Sequence, residues 1–140
     1  MYEYKCKMVR VVDGDTVDVD IDLGFGVWMR NQRIRMYGID TPESRTRDLD
    51  EKARGKLAAQ YIIDHVDNGD EVVIKTEKDG KGKFGRILGK IFIDGKNINQ
   101  SMIDEHLAVE YFGQSKSAIE NEHLVNRQIL IDEGKYSPVE

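Results

Sequence analysis

The sequence predicts a mainly β, α+β fold of five strands and three helices in a single domain, residues 1–140. Five stretches show the period-two alternation of apolar and polar residues that is typical of strands. One stretch between the third and fourth strands, and two after the fifth, indicate helices. With 140 residues, of which 39% are hydrophobic, the chain is long enough to bury one core.

The first three strands are predicted at residues 4–12, 17–23 and 28–39. Asp13-Gly14-Asp15-Thr16 separates the first from the second, and a loop with two glycines, residues 23–27, precedes the third. In the second strand aspartates alternate with apolar residues. We therefore expect its outer face to be acidic and solubilising.

An apolar stripe that ends before Asn68-Gly69-Asp70 predicts the first helix. The stripe consists of Ala53, Leu57, Ala58, Tyr61, Ile62 and Val66. These residues recur at three- and four-residue steps, so they share one face of a helix. His65 lies in the same stretch and is expected to border the core.

Two more strands are predicted at residues 71–76 and 86–93, with a glycine-rich loop between them and the turn Asp94-Gly95 after the second. Asn99 is predicted to cap a short helix. Ser117 and Glu120 have the spacing of a capping box, so the last helix should begin near Ser117. Five strands, with one helix after the third and two after the fifth, match a Greek-key barrel of the OB type with the helices packed outside.

The net charge of −5 argues against a protein that coats nucleic acid by bulk electrostatics. Residues 75–90 nevertheless hold six basic residues against two acids, whereas residues 103–140 hold eight acids against three bases. The basic segment is compatible with a surface that faces phosphates, although a solvated lysine-rich hairpin is the commoner explanation.

No stretch approaches the roughly 20 apolar residues of a membrane span, and the N-terminus lacks the long apolar run of a signal peptide. The single cysteine, Cys6, cannot form an internal disulfide. We therefore expect a cytoplasmic protein without a membrane partner, and secretion of a processed form remains the alternative. We also expect it to be a monomer.

Residues 33–43 form the stretch that most strongly suggests chemistry. Arg35 projects from the third strand to the side opposite its apolar neighbours. Asp40 and Glu43 follow in a turn that a proline stiffens, so both carboxylates have little backbone freedom. Two acids beside a cation suit an oxygen-ligated metal next to a phosphate. An ordinary turn after a strand is the alternative for this stretch taken alone.

Three motifs occur in a fixed order along the chain. They are Asp13-Gly14-Asp15-Thr16, then Arg35 with Ile39-Asp40-Thr41-Pro42-Glu43, then Lys83-Phe84-Gly85-Arg86. In this order and on these elements they resemble the staphylococcal nuclease (thermonuclease) family, over nearly the whole chain. The resemblance implies a calcium-dependent phosphodiesterase that acts on DNA and RNA and leaves 3′-phosphate ends.

The resemblance also implies a ligand set for Ca²⁺. Asp15 and Asp40 match the family's carboxylate ligands, and Thr41 matches the position that contributes its backbone carbonyl. Calcium takes about six to eight hard oxygen ligands, so three from the protein leave room for water and for a substrate phosphate oxygen.

The implied catalytic residues are Glu43, Arg35 and Arg86. Glu43 matches the proposed general base, which would orient or deprotonate the attacking water. Arg35 and Arg86 match the two arginines that hold the phosphate, and a guanidinium can bind phosphate oxygens with two parallel hydrogen bonds. Lys83 resembles a lysine that contacts phosphate.

The sequence departs from the family's pattern near the substrate cleft. Phe84 stands where the family has a tyrosine, so a hydroxyl contact to a terminal phosphate is missing and we expect mainly internal cleavage. The segment between Thr16 and Arg35 is several residues longer than in the family. Tyr111 matches a tyrosine of the substrate cleft, in a segment that is shorter here.

Two other classes of protein remain as alternatives. A catalytically silent OB-fold module that binds nucleic acid or protein would typically have lost the acids or the arginines. A structural metal-binding protein would explain the acids but not the arginines. Calcium-dependent digestion of plain DNA distinguishes all three.

Overall fold

A computed structural model describes residues 2–68, 71–77 and 87–138. Its elements are β1 (Glu3–Asp13), β2 (Thr16–Gly24), β3 (Val27–Met36), β4 (Ile39–Asp40), α1 (Leu49–Asn68), β5 (Val72–Thr76), β6 (Ile87–Ile93), β7 (Lys96–Asn97), α2 (Ile98–Asp104), β8 (Val109–Glu110) and α3 (Lys116–Asp132).

Five strands close into a barrel. They are hydrogen-bonded in the order β3-β2-β1-β5-β6, and β3 also pairs with β6, which joins the two ends of the sheet. This last pairing is parallel and places Ile34 opposite Ile87, whereas the other barrel pairings are antiparallel. The closed barrel with three helices confirms the predicted mainly β, α+β fold of the OB type.

The core lies inside the barrel and beneath the helices that cover it. Its most deeply buried side chains are those of Val17, Val19, Ile34, Met36, Ile39, Ile62, Ile74, Ile91, Ile98 and Met102. On β3 the buried Ile34 and Met36 flank Arg35, which is only partly exposed. The strand alternation predicted from the sequence therefore directs Arg35 to the outer side of the barrel.

The third strand is shorter than predicted. It ends at Met36 because Gly38 adopts a φ of 78°, which turns the chain out of the barrel sheet. Ile39 and Asp40 then form β4, which pairs with β8 in a separate two-stranded sheet. Asp40 consequently lies beside the C-terminal third of the chain.

The first helix begins at Leu49, four residues before the first residue of its apolar stripe. Asp48 precedes it, and the Asp48 Oδ1 accepts hydrogen bonds from the backbone N–H groups of Asp50 at 3.0 Å and Glu51 at 3.1 Å. Such a cap stabilises a polar first turn, which carries no apolar periodicity.

The predicted cap of the second helix was wrong. Asn97 is the N-cap of α2, and its side chain accepts from the N–H of Gln100. Asn99 is buried instead, where it accepts from the N–H of Ile91 at 3.1 Å and donates to the carbonyl of Tyr37 at 2.8 Å. Since β7 ends at Asn97, the helix starts two residues earlier than expected.

The capping box predicted for the last helix was also wrong. Ser115 is the N-cap of α3, and its Oγ accepts from the N–H of Ala118 at 3.2 Å. Ser117 therefore lies within the first turn of the helix. No helix in the described ranges has both the length and the apolar character needed to cross a membrane.

Candidate functional site

A cleft of about 870 Å³ opens where the end of β3, β4, the loop after it, α1 and α3 meet. Its walls include Arg35, Asp40, Thr41, Glu43, Tyr111 and His123. The turn between β1 and β2 carries Asp15 to the same place, as its contacts with Arg35 and Thr41 show.

Arg35 lies between the two carboxylates that the sequence singled out. Its NH2 is 3.5 Å from Oδ2 of Asp15 and 3.7 Å from Oδ1 of Asp40. Its NH1 donates to the carbonyl of Met36 at 3.0 Å. The three charged side chains come from three different elements, and each is largely shielded from solvent. They therefore interact more strongly than ion pairs on an open surface.

Asp15 is joined to the loop after β4. Its Oδ2 accepts from the N–H of Thr41 at 3.3 Å. The preceding residue, Gly14, makes this approach possible, because a Cβ there would lie 2.7 Å from Cβ of Ala58 and 2.9 Å from Oγ1 of Thr41. A glycine at this position lets the turn pack directly against α1 and the loop.

Glu43 is held by contacts between its backbone and α1. Its N–H donates to Oε2 of Glu51 at 3.0 Å. A Cβ at Gly55 would lie 2.7 Å from the carbonyl oxygens of Pro42 and Glu43. The helix therefore packs on the loop at backbone distance, and the conformation of the loop depends on that packing.

Glu43 lies near several other carboxylates. Burial raises the pKa of Glu43 above its ordinary value, and the charges of Asp15, Asp13, Asp40 and Glu51 raise it further. Such repulsion between carboxylates is relieved when a cation binds among them.

Asp40 has a second partner that the sequence analysis did not assign. Nε2 of His123, on α3, lies 2.8 Å from Oδ2 of Asp40, and the His123 side chain is 12% exposed. The sequence offered no signal for this contact, because the two residues are 83 positions apart.

Tyr111 follows β8 and lies in the lining of the cleft. Its N–H donates to the carbonyl of Gly38 at 2.9 Å. The next residue, Phe112, packs edge-on against Tyr37 with ring centroids 6.3 Å apart. Tyr111 is 41% exposed and Phe112 is 68% exposed, so apolar surface remains accessible at this point of the chain.

Lys83, Phe84 and Arg86 lie outside the described residues, as does the predicted glycine-rich loop at 78–82. Their assignments therefore still rest on the sequence motif alone. Asp15, Arg35, Asp40, Thr41 and Glu43 are the predicted site residues that the structure brings together.

The chemistry of this group fits a hard cation. Asp15 and Asp40 direct one oxygen each toward the same nitrogen of Arg35, and Thr41 directly follows Asp40. Carboxylate and carbonyl oxygens are the ligands that calcium prefers. Within the described ranges no three His, Cys, Asp or Glu side chains are grouped to hold a metal ion. The predicted ligand set does not require such a group, because it consists of two carboxylates and one backbone carbonyl.

Comparison with known proteins agrees with this geometry. The family model described as "Staphylococcal nuclease homologue" matches residues 33–130. This range includes the end of β3, residues 40–43, which we call the acidic loop, and most of α3. The chain belongs to the staphylococcal nuclease family. Residues 13–16, which carry Asp15, precede the matched part of this nuclease homologue.

Individual relatives of this nuclease homologue carry names of nucleases. It is 32% identical over 106 residues to the thermonuclease of Staphylococcus hyicus, a match that covers 76% of this chain and 59% of the relative. It is 30% identical over 116 residues to endonuclease YhcR of Bacillus subtilis (strain 168), covering 79% of this chain and 9% of that protein.

A third relative is protein ParB of Escherichia coli, 30% identical over 125 residues, with 83% of this chain and 62% of the relative covered. The chain thus spans less than two thirds of the length of each of these curated relatives.

Proposed function

We propose that this chain is a calcium-dependent phosphodiesterase that hydrolyses DNA and RNA, mainly by internal cleavage, and leaves 3′-phosphate ends. One observation carries the proposal: Arg35 lies within 4 Å of both Asp15 and Asp40 in the cleft that also contains Glu43. The names of the relatives, thermonuclease and endonuclease, support the same class of reaction.

In this proposal Asp15, Asp40 and the carbonyl of Thr41 hold calcium. Calcium, when bound, supplies positive charge beside a phosphate oxygen and reduces the repulsion between the substrate and the acidic cleft. The hydrogen bond from the Thr41 N–H to Asp15 holds these two ligand residues next to each other.

Glu43 takes the role of general base. A water molecule attacks phosphorus, a new P–O bond forms, and the proton of the water passes to Glu43. The P–O5′ bond breaks, the 5′ oxygen takes up a proton from solvent, and the phosphate remains on the 3′ side. The hydrogen bond from the Glu43 N–H to Glu51 supports this role because it restricts the loop that carries the base.

Arg35 stabilises the charge that develops on the phosphate oxygens. Its NH2 lies 3.5 Å and 3.7 Å from two carboxylates, which is ion-pair distance but longer than a good hydrogen bond. A phosphate oxygen can therefore compete for this nitrogen. Arg86 is assigned the same role from its motif, together with Lys83 as a phosphate contact, Tyr111 on the wall of the cleft and Phe84 beside the substrate.

The test is the digestion of a circular single-stranded DNA and of a linear strand of the same sequence, with calcium or with excess EGTA. We expect both DNAs to be cut only with calcium, and phosphatase to remove a 3′-phosphate from the products. Full cleavage in EGTA would exclude the calcium requirement. A circle that resists while the linear strand is trimmed from one end would show that the enzyme needs a terminus. Binding without cleavage would identify a silent OB-fold module.

A further inference from the structure

The contact between His123 and Asp40 links the last helix to the acidic loop. The two oxygens of Asp40 face different partners, since Oδ2 lies 2.8 Å from Nε2 of His123 and Oδ1 lies 3.7 Å from NH2 of Arg35. An ionised carboxylate can only accept hydrogen bonds, so Nε2 of His123 must carry the proton. The rotation of the carboxylate about its last side-chain bond is thereby restricted.

We propose that His123 is a positioning residue that holds Asp40 with Oδ1 directed into the cleft, and so increases the affinity for calcium. The inference rests on the proposed function, in which Asp40 is a ligand. Carboxylates that bind metals are commonly oriented by a hydrogen bond to a second protein group, and the loss of that group typically lowers metal affinity by about 10- to 100-fold.

The alternative is that His123 only docks α3 on the barrel. The helix has other anchors for that purpose. Asn126 donates to the carbonyl of Ala108 at 3.1 Å, and Nε of Arg127 donates to Asp50 at 2.8 Å. Leu130, near the end of α3, is 2% exposed. Because the helix is held by these contacts, the hydrogen bond from His123 is available for orienting Asp40.

The matched pair of tests uses two positions on α3, one turn apart. His123→Leu removes the donor to Asp40. Asn126→Leu removes a donor of similar burial that bonds to the backbone carbonyl of Ala108. His123→Gln places an amide donor near the position of Nε2. Calcium affinity is measured by isothermal titration calorimetry, and melting temperature is measured in EGTA.

We expect His123→Leu to raise the calcium Kd by about tenfold or more, and His123→Gln to restore most of the affinity. Asn126→Leu should lower the melting temperature and leave the Kd within about twofold of the wild type. Equal Kd values in the wild type and His123→Leu would overturn the inference and leave the proposed function intact. An equal rise in Asn126→Leu would show that docking of the helix is responsible and would also overturn it.

A measurement without metal covers the case in which His123→Leu fails to fold. Long-range proton–nitrogen NMR spectra of the calcium-free wild type should show the proton of His123 on Nε2. A neutral ring protonated only at Nδ1 would overturn the inference. A wild type that cleaves no DNA and binds no calcium would overturn both this inference and the proposed function.

Discussion

At the residue scale, the guanidinium of Arg35 is placed between Asp15 and Asp40 while it also donates to the carbonyl of Met36. A lysine has one nitrogen at the end of a flexible chain and cannot occupy all of these positions together. The positions of Asp15 and Asp40 thus depend on the shape of the Arg35 side chain as well as on its charge.

Arg35→Lys tests this dependence. We expect turnover of single-stranded DNA with calcium to fall by about a hundredfold or more, the usual effect of removing a group that stabilises charge in the transition state. Arg33→Lys is the matched control, because Arg33 lies two residues earlier on β3 and pairs with Asp18 at 2.9 Å on the surface. Near-normal turnover in folded Arg35→Lys would mean that this arginine is only structural.

Glu43→Gln tests the general base. The amide has nearly the same shape as the carboxyl group but cannot take a proton from water, so kcat should fall by about a hundredfold or more. Glu120→Gln, at another glutamate that lines the cleft, should change kcat by less than about twofold. Equal effects of the two substitutions would contradict a special role for Glu43.

At the element scale, α1 packs directly against the acidic loop. Gly55 lets the helix backbone approach the carbonyls of Pro42 and Glu43. Asp50 in the first turn of α1 accepts from Arg127 of α3 and from the hydroxyl of Tyr136. The carboxylate of Asp50 therefore joins α1 to α3 and to the residues that follow α3.

Gly55→Ala tests the packing of α1 on the loop. Alanine favours a helix by about 1 kcal/mol over glycine, but its Cβ would lie 2.7 Å from two backbone oxygens. We expect the collision to displace the loop and lower turnover by about tenfold. Lys56→Ala, at the exposed neighbouring position, should leave turnover unchanged. Unaltered turnover in Gly55→Ala would show that the loop adapts without loss.

Tyr136→Phe tests the link through Asp50 by its pH dependence. Burial raises the pKa of Tyr136, the hydrogen bond and charge of Asp50 raise it further, and the facing Arg54 and Arg127 oppose the shift. Since folding raises this pKa, the stabilisation is fully present below the ordinary tyrosine pKa of about 10 and is lost as the pH rises through the folded-state value.

We therefore expect Tyr136→Phe to lower the free energy of unfolding by about 1–2 kcal/mol at pH 7. The difference from the wild type should shrink above about pH 10. Urea unfolding at several pH values measures both. A difference that stays constant up to pH 11 would contradict the assignment.

At the scale of the whole molecule, charge limits how tightly a polyanion can bind outside the cleft. The net charge is −5. Two lysines of the predicted basic segment form ion pairs within the protein: Lys75 with Glu3 at 3.1 Å and Lys90 with Glu77 at 3.7 Å. Affinity for nucleic acid should therefore come mainly from the cleft.

The salt dependence of binding tests this view. For Glu43→Gln and a single-stranded oligonucleotide, contacts to about three phosphates predict a slope of about −2 in a plot of log K against log salt. Fluorescence anisotropy over a series of salt concentrations gives the slope. A slope of about −5 or steeper would require a broad basic face and contradict the prediction.

The sequence by itself determined the five strands of the barrel, apart from the end of the third, because alternation along a strand is a local property that burial on one face imposes. The two-residue strands β4, β7 and β8 are too short to show such a pattern. It also identified Asp15, Arg35, Asp40 and Glu43 as candidates through their motifs. The extension of one domain over residues 1–140 stays a prediction, as do the roles assigned to Lys83, Phe84 and Arg86.

Only the tertiary structure decided how these parts meet. The closure of the barrel by β3 and β6, the pairing of β4 with β8 and the contact between His123 and Asp40 all join residues far apart in sequence. Local rules failed at Asn99, where an amide suited to a helix cap instead satisfies buried backbone groups. Such contacts depend on which surfaces the folded chain brings together, and a local pattern carries no record of them.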